Sequence, residues 1–158
     1  LNLYKESFKF SAAHFFFFDS KRAERLHGHN YMVRVRIFGS SDNNPHMAKG
    51  FLIDFIEIKN FVNTLMDRWD ERVLLPGLHE DIKTTIVGQT LELRFRDRFY
   101  AFPKNEVLIL PAVNASVEEL ARLLAQDIVS EFKTQGITSV EVEVEESLGQ
   151  SAVWSIEI

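Results

Sequence analysis

Three histidines are spaced so that they could hold one divalent metal ion. His27-Gly28-His29 puts two imidazoles at i and i+2, which on a β-strand means one face and a separation of about 6.5–7 Å. From there both rings can converge on an ion at about 2.0–2.1 Å each. His14 ends an alternating run of Phe8, Phe10, Ala12 and His14, and hairpin pairing of that run with the His27 strand would bring the third ring alongside. Three neutral nitrogens without a fourth protein ligand describe an open, catalytic-type zinc site, where the metal acts as a Lewis acid on a hydroxyl or carbonyl. A single inward histidine is ordinarily a packed, hydrogen-bonded core residue. Three of the chain's five histidines on inward faces favour a metal instead. His46 and His79 fall in polar, turn-like stretches and read as ordinary surface residues.

The elements that must position these rings follow from hydrophobic periodicity. A first strand is expected through Tyr4 to His14, and a second from His27 to Phe38 with Tyr31, Val33, Val35 and Ile37 buried. A polar turn spans Ser40 to Pro45. Asp54 followed by Glu57 has capping-box spacing, and Phe55, Ile58, Val62, Leu65, Met66 and Trp69 recur behind it with helical period. Ser116 and Glu119 start a second helix whose stripe is Leu120, Ala121, Leu124, Ile128 and Phe132. Alternation returns with Val140, Val142 and Val144 facing in and Glu141, Glu143 and Glu145 facing water. A turn at Leu148 to Gln150 leads to a last strand through Ala152, Trp154, Ile156 and Ile158. Leu91, Leu93 and Phe95, a turn near Asp97 and Arg98, and Phe99 to Phe102 suggest an extra hairpin. Segregated strands and helices predict an α+β fold with an antiparallel sheet and two helices on one face.

Composition bounds the function. The 158 residues suit one domain, and 46% hydrophobic with 26% charged residues is globular composition. A net charge of −5 gives no general attraction to nucleic acid or anionic membrane. Without cysteine, disulfides, thiolate ligands and a cysteine nucleophile are excluded. The longest apolar run, Phe15 to Phe18, is far short of a membrane span, and nothing resembles a signal peptide, so cytoplasm is the expected compartment. One strand cannot bury four consecutive aromatics on one face, so some of these are expected to meet another subunit.

Phe10-Ser11-Ala12-Ala13-His14 and Leu26-His27-Gly28-His29-Asn30-Tyr31 resemble the signature of the 6-pyruvoyl tetrahydropterin synthase and 6-carboxytetrahydropterin synthase family. The likeness continues, in the family's order, through Gly50 to Phe55 with Lys59, Asn114 to Ala121, and Val142 to Ser147. The stretch Lys83 to Pro111 looks like an enlargement. The resemblance implies a tunnelling fold, in which subunits pool their sheets into a barrel and two rings stack, commonly as a hexamer. It also implies a three-histidine zinc, active sites at subunit boundaries, and 7,8-dihydroneopterin triphosphate as substrate. Glu146 matches the family's pterin anchor; it shares parity with Val140, Val142 and Val144, and a pterin's N–H groups would supply the bidentate partner that a buried carboxylate needs. Ser116 and Glu118 match a Thr-x-Glu that contributes to pterin binding.

The match departs from the best-known members at the base. Their cysteine position is Ala23, and their Asp-His pair is Asp70-Glu71. One subgroup instead carries a glutamate three residues before the HGH, and Glu24 occupies that place. A carboxylate serves as general base when its environment raises its pKa toward working pH, and with glutamate the family's chemistry shifts toward leaving 6-hydroxymethyl-7,8-dihydropterin. The catalytic candidates are therefore Glu24, Asp70 and Glu71, although Glu24 also belongs to a charge run that a solvated loop would explain. Lys21, Arg22 and Arg25 are the nearest cations for a triphosphate, while Arg94 and Arg96 read as solvated. The leading reading is a zinc-dependent lyase. An inactive zinc- and pterin-binding paralogue is the alternative, and a zinc hydrolase on another substrate would leave Glu146 without purpose.

Overall fold

In the computed structural model, residues 1–40, 44 and 46–158 are described. Of the expected turn at Ser40 to Pro45, residues Ser41, Asp42, Asn43 and Pro45 lie outside them. The elements are β1 (Asn2–Leu3), β2 (Lys9–His14), β3 (His27–Gly39), α1 (Phe55–Trp69), β4 (Arg72–Pro76), β5 (Lys83–Val87), β6 (Thr90–Phe95), β7 (Arg98–Pro103), β8 (Val107–Leu110), α2 (Val117–Phe132), β9 (Ile137–Ser147) and β10 (Gln150–Glu157). The fold is α+β. The chain divides into two compact units with interleaved segments, one of residues 1–10, 30–68 and 117–158 and the other of residues 11–29 and 69–116.

In the first unit β9 pairs antiparallel with both β10 and β3. The parity read from the sequence holds: Tyr31, Val33, Val35, Ile37, Val140, Val142 and Val144 are buried. The opposite face is not simply solvated. Arg34 grips Glu143 at 3.0 Å and Glu145 at 2.6 Å, and Arg36 meets Glu141 at 2.6 Å. A backbone N–H from Gly149 and the Arg34 guanidinium hold the Glu145 carboxyl below the usual carboxylate range. The first strand begins at Lys9 rather than Tyr4, because the chain turns at Glu6 and Ser7 and Phe8 N–H donates to Lys5 carbonyl at 3.0 Å. That turn lets Leu3 pair with Val35 while Phe8 carbonyl accepts from Val33 N–H at 2.8 Å.

Asp54 does cap α1, its Oδ1 accepting the Ile56 N–H at 2.7 Å. Glu57 leaves the expected box and accepts from Gln135 at 3.1 Å. Ile58, Val62, Leu65, Met66 and Trp69 are buried as predicted, but Phe55 is 53% exposed. α2 packs on β9 and β10 through Leu120, Ala121, Leu124, Ile128 and Phe132. Glu119 receives two bonds from Arg122, at 2.9 and 2.7 Å.

The second unit contains elements with weaker sequence signals. β4 runs parallel to β2 (Ala12 opposite Arg72) and to β8 (Val73 opposite Val107), the departure from antiparallel pairing. The expected hairpin is a three-stranded antiparallel sheet, β5-β6-β7, with its second turn at Arg96 and Asp97 and Arg96 left-handed at φ 51. Leu91, Leu93 and Phe95 on β6 pack with Phe15, Phe17 and Leu75 in one core. Phe15 stacks on Phe95 at 4.7 Å between centroids. Two of the four consecutive phenylalanines are thus consumed inside this unit, while Phe18 remains exposed.

Truncating a fully buried side chain removes transfer free energy and leaves a cavity. Leu124→Ala should lower the unfolding free energy by about 2–5 kcal/mol in denaturant titration. Leu148→Ala, at a fully exposed turn residue, should stay within about 0.5 kcal/mol of wild type.

Candidate metal centre

β2 ends and β3 begins at the same place in the second unit, and the three histidines sit at those two ends. Gly28 permits the approach. A Cβ there would lie 3.2 Å from the Ala12 carbonyl oxygen, tighter than ordinary side-chain contact, so glycine lets the two backbones close up. His14 is buried at 3% exposure, His29 is half-buried and His27 is exposed. Ring centroids are 4.8 Å apart for His14–His27 and for His27–His29, and 5.3 Å for His14–His29. Their candidate ligand nitrogens all lie within 4.8 Å of one another.

Backbone carbonyls orient two of these rings. His14 Nδ1 donates to Ala115 carbonyl at 2.7 Å, and His27 Nδ1 donates to Arg25 carbonyl at 2.8 Å. A carbonyl can only accept, so each Nδ1 carries the proton and each Nε2 keeps its lone pair for a metal. The three histidines could hold a metal ion, and imidazole nitrogens are donors that fit zinc.

Glu24 lies beside this cluster, half-buried, with a carboxylate oxygen 3.9 Å from His27 Nε2. Its backbone is fixed, since Glu24 N–H donates to Phe16 carbonyl at 2.8 Å and Phe17 bridges Ala23. The intervening turn is tied by Asp19. Its carboxylate bonds Arg22 Nε at 2.7 Å and accepts the Lys21 and Arg22 N–H groups at 2.8 Å each. The Arg22 side chain first, then those backbone donors, lower the Asp19 carboxyl to about 2. Arg22 is therefore committed within its own turn, while Lys21 and Arg25 stay exposed.

Asp70 and Glu71 are engaged with the backbone of Ser11. Asp70 Oδ1 accepts Ser11 N–H, and Glu71 N–H donates to Ser11 carbonyl, both at 2.7 Å. Glu71 turns with φ 54, so the pair closes α1 and lays β4 along β2 rather than joining the histidines. Ser116 follows the Ala115 that holds His14 and is half-buried, and Glu118 is exposed on the first turn of α2. Glu146, in the first unit, is half-buried at the last inward position of β9. Asn114 has a structural role that its sequence context does not reveal. Its Oδ1 accepts Phe17 N–H at 3.0 Å and its Nδ2 donates to Phe17 carbonyl at 2.8 Å, tying the aromatic loop to the segment that orients His14. His79 is not bare surface, being stacked on Phe17 at 3.7 Å.

A family model described as 6-pyruvoyl tetrahydropterin synthase matches residues 2–157. The chain belongs to the 6-pyruvoyl tetrahydropterin synthase family. Among relatives of this pterin synthase family, a Methanocaldococcus jannaschii protein provisionally described as a 6-carboxy-5,6,7,8-tetrahydropterin synthase is 29% identical over 157 residues, 98% of this chain and 93% of its own. The solved 6-pyruvoyl tetrahydropterin synthase of Plasmodium falciparum superposes with a TM-score of 0.88 at 27% identity, covering 100% of this chain and 97% of that one. The Plasmodium vivax synthase gives 0.88 at 29% identity with the same coverage. Two further structures of that protein carry alanine or cysteine at a glutamate described as a catalytic residue.

His27→Ala should lose stoichiometric zinc in metal analysis of the purified protein. A variant that keeps one zinc per chain would contradict the three-histidine centre.

Proposed function

We propose that this family member is a zinc-dependent lyase acting on 7,8-dihydroneopterin triphosphate, with Glu24 as general base and 6-hydroxymethyl-7,8-dihydropterin as product. The observation that carries this reading is the Glu24 carboxylate 3.9 Å from His27 Nε2 in a chain without cysteine. A catalytic glutamate in the Plasmodium vivax protein supports it. Zinc held by His14, His27 and His29 would polarise a side-chain hydroxyl of the substrate.

Cleavage of the bond between the first two side-chain carbons needs two proton movements. A base takes the proton from the hydroxyl on the outer carbon, which leaves as an aldehyde bearing the triphosphate. The electron pair passes to the carbon attached to the conjugated pterin ring, and that carbon is then protonated. One carboxylate can perform both steps, first as base and then as acid. Glu146 is assigned to the pterin amino and ring N–H groups as a bidentate acceptor, with Ser116 and Glu118 as secondary pterin contacts. Asp70 and Glu71 act through the Ser11 backbone, keeping β2 in place, rather than as bases.

Assembly into a hexamer is part of this reading. β10 pairs with β9 alone among the described residues, and it exposes Val153 and Trp154. A paired, covered edge in a barrel would satisfy those backbone groups and that apolar surface. The second reading, an inactive zinc- and pterin-binding paralogue, draws on the engagement of Asp70 by Ser11 and the lack of a histidine beside it.

Glu24→Gln keeps the side chain's size and removes the base. Turnover should fall about 10²- to 10⁴-fold, with zinc content and pterin binding unchanged by metal analysis and calorimetry. Unaltered turnover would take Glu24 out of the mechanism.

A further inference from the structure

The three-stranded sheet β5-β6-β7 grips the loop that carries Glu24. Two arginines, Arg96 in its second turn and Arg98 at the start of β7, do this, and both reach for backbone carbonyls. Arg96 Nη2 donates to Asp19 carbonyl at 2.6 Å, while its Nε bonds Asp81 at 2.8 Å and its guanidinium lies 5.3 Å from the Phe17 ring centre. Arg98 spans the other end of the loop, donating through Nη2 to Ala23 carbonyl at 3.1 Å and through Nη1 to Glu24 carbonyl. The Arg98 guanidinium lies 5.1 Å from the Phe95 ring centre, and Phe95 is buried at 2% in the core with Phe15 and Phe17.

We propose that Arg98 is a positioning residue for Glu24, its forked guanidinium fixing the Ala23 and Glu24 carbonyls so that the carboxylate is held toward His27. Glu24 N–H is bonded to Phe16 carbonyl at 2.8 Å, which restrains the amide ahead of the residue but not the peptide that follows it. The rigid, always-charged fork supplies that second restraint, and charge-assisted bonds of this kind are roughly twice as strong as neutral ones. Its own anchor is the aromatic core, so the guanidinium does not swing with solvent. Displacing a reacting group by about 1 Å costs on the order of 10²-fold in rate, so a loosened loop should be felt in chemistry before binding.

The proposal rests on Glu24 being the base, and its test separates the two claims. Arg98→Met keeps an unbranched stem against Phe95 and removes every donor. Hydrogen exchange, which needs neither zinc nor substrate, should show faster exchange over residues 16–24 in Arg98→Met. Arg94→Ala should leave it unchanged, since Arg94 lies over Phe99 on the same sheet at 4.2 Å. In the zinc-loaded full chain, kcat of Arg98→Met should fall about 10- to 100-fold with KM within about threefold. Arg98→Lys, which keeps one donor, should recover part of the loss. Adding Arg98→Met to Glu24→Gln should slow the enzyme no further, because a positioning residue has nothing left to position. Unchanged exchange and kcat in Arg98→Met, or a loss that multiplies with that of Glu24→Gln, would overturn the proposal. Should the Met variant not fold, Arg98→Lys decides the matter alone, since it must itself show faster exchange and a smaller fall in kcat. Full activity of Glu24→Gln would instead remove the base assignment, while the exchange result still decides whether Arg98 holds the loop.

Discussion

The hydrogen bond from His14 Nδ1 to the Ala115 carbonyl at 2.7 Å fixes the tautomer on which the candidate metal centre depends. It makes Nε2 the lone-pair nitrogen of the one fully buried imidazole in the set and ties the end of β2 to the residues leading into α2. Asn114 extends the same tie to Phe17 by accepting and donating one bond each. The close approach at Gly28 is the steric counterpart, since a side chain there would meet the Ala12 carbonyl. Those contacts are what allow two short strand ends to present three nitrogens to one point.

Around that centre the second unit divides its labour between apolar and polar forces. Phe15, Phe17, Leu75, Leu91, Leu93 and Phe95 make a satellite core, which sets the β5-β6-β7 sheet against the loop. Burial of this kind is non-directional, so it can hold the sheet near the loop but cannot fix where a carboxylate points. Arg96, Arg98 and Asp19 supply the direction through bonds to backbone groups. The β5-β6-β7 sheet thereby becomes a support for the loop beside the histidines, with β8 following it to pair with β4.

What could be read in the sequence was whatever has a short period or a fixed local spacing. The strand parity of Phe8 to His14 and of Tyr31 to Ile37, the start of α2 after Ser116, and the HGH triplet are all of this kind. β4 and β8 are short apolar runs, Val73 to Pro76 and Val107 to Leu110, whose parallel pairing leaves little alternation to find. β5 is exposed along its whole length, so it lacks a buried face, although Thr84 to Val87 followed by Gly88 carried a β-branched signal. Glu57 had capping-box spacing but found Gln135 instead, a competition decided by tertiary packing. Arg96 and Arg98 read as solvated or as turn residues because their partners are carbonyls some 75 positions away, and a carbonyl leaves no trace in residue identity.

The proposed zinc centre served by a carboxylate base is tested most directly by the identity of the product. Zinc-loaded protein incubated with 7,8-dihydroneopterin triphosphate should yield 6-hydroxymethyl-7,8-dihydropterin by mass spectrometry. Unchanged substrate with pterin still bound, or a 6-pyruvoyl product that keeps the side chain intact, would contradict it.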